Sequence, residues 1–75
     1  MPITINPKIA FGKPIIEGTR ISVEFILELL SSGMSADTIV KEYPHLHKKD
    51  VLEAIQYAYK TLKHEEVIHF SSKAS

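Results

Sequence analysis

From Pro7 to Gly18 a proline or glycine recurs at intervals of no more than five residues, as Pro7, Gly12, Pro14 and Gly18. No long strand fits between such breaks, because proline brings no amide to a ladder and glycine favours turns. The next glycine or proline is Gly33, and the gap before it carries an apolar pattern of a different period. The chain therefore divides near Ser22 into a turn-rich head and a helical body. In the head, the alternation of Ile3, Thr4 and Ile5 predicts a short strand, and Asn6-Pro7 predicts a turn. Between Ile9 and Ile21 only short strands joined by turns are expected. Glu17-Gly18, set between Ile15-Ile16 and Ile21, reads as a hairpin tip with Gly18 at positive φ.

In the body, Val23, Ile26, Leu27 and Leu30 fall at i, i+3, i+4 and i+7, the stripe of an amphipathic helix. Ser22 is a suitable N-cap, Glu24 suits the first turn, and Gly33 marks the stop. Phe25 and Leu29 form a second apolar row, so this helix is expected to be covered on more than one side. Ser35 caps a second helix from about Ala36 to Tyr43, with Ile39, Val40 and Tyr43 inward and Pro44 ending it. A third helix follows His47, read as its cap, with a stripe of Val51, Ala54, Ile55, Ala58 and Leu62, and runs to about Lys63. Residues 1–70 are expected to form one domain and 71–75 a disordered tail.

Chemistry is harder to place. The chain has no cysteine, which excludes disulfides and thiolate metal sites. A phosphate loop of the Walker type does not fit, since five residues separate Gly12 from Gly18 and Thr19-Arg20 stand where Lys-Ser/Thr is needed. His45, His47, His64 and His69 contain no i, i+4 pair, so no metal or other cofactor is expected. No nucleophile elbow appears, and Glu24/Glu28 and Glu65/Glu66 read as solvated helix faces, so the chain is not expected to be an enzyme. With no signal sequence or membrane-length apolar run evident, the expected location is the cytoplasm.

Nine basic residues balance nine acidic ones, unlike the basic excess usual in DNA-binding domains. The charge is unevenly spread. Residues 23–47 are acidic on balance, whereas Lys8, Lys13 and Arg20 outnumber Glu17 in the head. Lys48, Lys49, Lys60 and Lys63 likewise outnumber Asp50 and Glu53 on the third helix. Lys13, Arg20, Lys48 and Lys49 are the candidates for contact with DNA. Arg20 either pins its turn, through backbone carbonyls or Glu24, or points outward beside Lys13; the pinning role is preferred. Thr19 is expected to be buried in the turn. Phe25, Leu29, Val67, Ile68 and Phe70 are the candidates for a protein interface, because a domain this small hides excess apolar surface by association.

Taken in order, G-K-P-x-I-x-G-T-R-I, an apolar helix ending in glycine, Ser-x-x-x-Ile, Y-P-H-L and V-x-x-A-I-x-Y-A resemble the prokaryotic domain of unknown function 433 family. The resemblance covers about residues 3 to 62, with Gly12, Pro14, Gly18, Thr19, Arg20, Gly33, Tyr43, Pro44 and Ala54 on the family's pattern. It implies a mainly α fold, with short N-terminal β-strands or a hairpin followed by a three-helix, helix-turn-helix or winged-helix-like bundle. It also implies a homodimer and a VapB-type antitoxin role. Such a protein would bind and silence a PIN-like ribonuclease toxin and bind operator DNA. Ser22 and His47 depart from the family's usual proline and threonine or serine, both at helix caps. The alternative reading is a protein-interaction module without DNA binding or catalysis.

Overall fold

The computed structural model describes residues 3–72, with side chains as far as His64. A two-stranded antiparallel sheet of β1 (Ile3–Ile5) and β2 (Pro14–Ile16) precedes three helices, α1 (Val23–Ser31), α2 (Ala36–Glu42) and α3 (Lys48–Ser72). The fold is mainly helical, as the change of period at Ser22 predicts. The strand register pairs Ile3 with Ile16, Thr4 with Ile15 and Ile5 with Pro14. Proline is tolerated because it opens its strand, where a missing amide costs least.

The hairpin differs from expectation. Glu17-Gly18 does turn the chain, with Gly18 at φ +84°, but the return makes a single bridge, Ile15 to Ser22, before α1 begins. The ladder forms with β1 instead, across the longer loop 6–13. Thr19 closes the Glu17-Gly18 turn: its hydroxyl donates to the Ile16 carbonyl at 2.8 Å and accepts from the Ile21 amide at 3.0 Å. Thr19→Val keeps the shape and removes both bonds. It is expected to lower stability by about 1 kcal/mol, read as a lower urea midpoint at unchanged slope.

The helix ends follow the sequence closely. The Ser22 hydroxyl accepts from the Phe25 amide and the Ser35 hydroxyl from the Thr38 amide. At the end of α1 the Gly33 amide donates to the Leu30 carbonyl and the Met34 amide to that of Leu29. This is the paired 5→2 and 6→1 bonding of a Schellman stop, and Gly33 sits at φ +105°, where a side chain would be strained. At the start of α3 the His47 amide donates to Asp50 Oδ2 at 2.9 Å. His47 occupies the cap position, but the capping group is the Asp50 carboxylate, from a residue only 6% exposed.

The core is a cluster of Ile16, Val23, Ile26, Ile39, Leu46, Val51 and Ala54, to which the head and all three helices contribute. Phe25 and Leu29 are half-buried within the chain: Leu29 packs on this core, and Phe25 meets Tyr43 edge-on with ring centroids 5.6 Å apart. The second apolar row of α1 is thus covered largely from inside. The stripe expected for α3 is buried only at Val51 and Ala54; Ile55 and Leu62 are exposed. α3 also continues past Lys63 to Ser72, consistent with the absence of glycine or proline after Pro44. The side chains of Val67, Ile68 and Phe70, and the tail residues 73–75, lie outside the described residues.

Candidate protein interface

The loop between β1 and β2 has an unusual backbone. Asn6 starts it with a side-chain turn, its Oδ1 accepting from the Lys8 amide at 2.9 Å. Ala10, Phe11 and Gly12 then follow at φ +52°, +57° and +78°, a short left-handed turn closed by the Gly12 amide on the Ile9 carbonyl and the Lys13 amide on the Ala10 carbonyl. Glycine tolerates that region freely, whereas an L side chain costs about 1 kcal/mol or more there. Two of the three residues are not glycine. The strained turn presents Phe11 outward with its surface 99% exposed.

The turn is tethered by its neighbour. Lys13 forms an ion pair with Glu24 in the first turn of α1, joining the loop to the helical body. Both side chains are more than half exposed, so the pair orients the loop more than it stabilises the chain. Below the ion pair, Pro14, Val23, Leu27, Tyr57, Ala58 and Leu62 line an open apolar groove of about 310 Å³. On the other side of the head, Arg20 lines a shallow cavity of about 640 Å³ with Thr19, His45, Asn6 and the exposed Ile5.

The four cations proposed for DNA have different neighbours. Lys13 is held by Glu24, and Arg20 faces the cavity beside His45. Lys48 and Lys49 border a different groove, lined also by Ala36, Val51, Leu52 and Ile55. Lys48 is paired with Asp37 on α2 at 2.8 Å. That carboxylate, through its hydrogen bond first and its charge second, raises the Lys48 ammonium above its ordinary value. Because the shift is upward, the pair's contribution is complete below the usual lysine range and is lost only as pH rises through the raised value. Two of the four cations are thus already met by carboxylates. Arg20, expected to pin its turn, makes no hydrogen bond or ion pair among the described residues; Glu24 is taken by Lys13, and Thr19 holds the turn.

Phe11 escapes the sequence analysis because it belongs to no periodic stripe and precedes a glycine. An aromatic outside every stripe, in a segment too short to bury it, is the signal that would have found it. Among the described residues no three His, Asp or Glu side chains converge as a metal-binding group, and no helix is long and apolar enough to cross a membrane.

Together the head and body define a small helical domain with an N-terminal two-stranded cap, whose most conspicuous surface feature is an exposed aromatic. The chain belongs to the family described as "Protein of unknown function (DUF433)", whose model matches residues 3–58. It is similar to a crystal structure of a DUF433 member protein from Anabaena variabilis ATCC 29413, with 27% identity and a TM-score of 0.77. The similarity covers 84% of this chain and 62% of that one, so the chain spans about three-fifths of that protein's length. No curated protein matches it.

Proposed function

We propose that this chain is a non-enzymatic regulatory module that acts by binding another protein. The partner class implied by its resemblance is a PIN-like ribonuclease toxin, which would make the chain an antitoxin. The single observation that carries the reading is Phe11. A phenylalanine is a large apolar side chain that folding normally buries. Here it adds nothing to the core and sits on a backbone that opposes folding. Strain kept at an exposed position supports a role outside the chain's own stability, and aromatic anchors of this kind dominate the energetics of protein interfaces.

The test separates binding from folding. Phe11→Gly relieves the left-handed strain and is expected to raise stability by up to about 1 kcal/mol, while weakening capture of a co-expressed PIN-like nuclease and releasing its RNA cleavage. Undiminished capture by a correctly folded variant would refute the role of Phe11. Operator DNA takes second place in this reading, because Lys13 and Lys48 are engaged by Glu24 and Asp37. In a gel shift with upstream duplex, the chain alone is expected to show only salt-sensitive, sequence-independent retention. Specific retention abolished by Arg20→Ala with Lys49→Ala would restore DNA to first place.

A further inference from the structure

α3 carries a second surface that folding leaves uncovered. Leu52, Ile55, Tyr59 and Leu62 are 54%, 42%, 60% and 63% exposed, and their spacings of three, four and three residues place them on one face of the helix. The face is continuous with two apolar grooves. Leu52 and Ile55 line the one beside α2, and Leu62 lines the one beside α1. From Leu52 to Leu62 the stripe runs about 15 Å along the axis.

Its free flank is basic, whereas on the side of the body Glu24, held by Lys13, lines the groove beside α1. At 3.6 residues per turn, the flank facing away from the core carries Lys49, Gln56, Lys60 and Lys63, all exposed. Lys63 lies over the Tyr59 ring, 5.7 Å from its centroid, so one cation borders the stripe directly. Glu53 lies further round the helix and is half-buried. The opposite edge of the stripe adjoins the body of the domain. A hydrophobic seam with lysines along its free edge suits an amphipathic helix bearing leucine-type side chains on one face and carboxylates beside them.

We propose that the α3 stripe is a docking site for an acidic amphipathic helix of a partner protein. The proposal rests on the protein-binding reading above but uses a surface separate from Phe11. Its test uses two designed helical peptides with leucine at positions a and d, one with glutamate on both flanks and one with lysine. The glutamate peptide is expected to bind at least about tenfold tighter, and its affinity to fall as salt rises from about 50 to about 500 mM. The charge-reversed chain K49E/K60E/K63E should invert the preference, and Tyr59→Ser with Leu62→Ser should abolish binding of both peptides. Thermal melts of these variants should match the parent, since every altered side chain is exposed. Equal affinity for the two peptides, or no binding of either, would overturn the proposal. So would a homodimer in sedimentation that Leu62→Ser dissociates, because the stripe would then belong to a second copy. Phe11→Gly should leave peptide binding unchanged, so failure of the Phe11 role and failure of this site are distinguishable.

Discussion

Ile26→Ala is expected to bring the chain close to its unfolding midpoint at ambient temperature. Ile26 is fully buried within a core shared by the head and all three helices. Truncating such a side chain removes its transfer free energy and leaves a cavity, a loss of about 2–5 kcal/mol. A single core in a domain this small supplies only about 3–5 kcal/mol, so the two magnitudes are comparable. Ile26→Leu keeps the volume and should lose less than about 1.5 kcal/mol. Urea unfolding followed by far-UV circular dichroism distinguishes the two variants. An alanine variant with a midpoint near the parent's would mean that Ile26 is not central to the core, or that a partner surface supplies much of the stability.

The helix boundaries were legible because each depends on local chemistry. Ser22 and Ser35 cap through their own hydroxyls, and Gly33 takes a conformation that suits no other residue. Strand pairing was less legible. The Glu17-Gly18 turn was visible in the sequence, but the partner of β2 depends on how the loop 6–13 returns, and that loop folds through left-handed residues that nothing in Ala10-Phe11 announces. Periodicity also overstated the core of α3. A stripe in the sequence shows that a face is apolar, whereas covering it requires a neighbour, and α1 and α2 reach only far enough to bury Val51 and Ala54. Ile55 and Leu62 continue the pattern into solvent. The candidate site was the least legible part. Lys13 and Lys48 looked like free cations until the fold brought Glu24 and Asp37 to them.

These two surfaces share a physical logic. Phe11 and the α3 stripe each place apolar area in water, where it contributes nothing to a core already short of area. Sequences under selection for stability alone would replace such residues with polar ones. Their positions on opposite kinds of support, a strained loop and a rigid helix, suit different tasks. The loop offers one anchor whose approach Lys13 and Glu24 orient, and the helix offers a long seam whose lysines select the charge of what docks.

The second large effect is expected at Asp50, and it arises from a hydrogen bond rather than from a pairing of charges. Asp50 is the one buried charged residue among those described, and its carboxylate accepts from the His47 amide at the first turn of α3. That amide belongs to a helix end that has no intrahelical acceptor for it. Asp50→Ala takes the capping acceptor from the His47 amide and removes a negative charge from the positive end of the helix, together about 1–3 kcal/mol. Because Leu46 and Val51 flank this turn and belong to the core, fraying there should propagate inward. Asp50→Asn retains an oxygen acceptor without the charge and should retain a good part of the stability. Amide exchange at His47 and the next three residues should quicken strongly in the alanine variant and only slightly in the asparagine one. Asp37→Asn, which breaks the exposed pair with Lys48, should leave both exchange and the unfolding midpoint unchanged. If alanine and asparagine at position 50 proved equally damaging, the charge at the helix end would outweigh the capping bond.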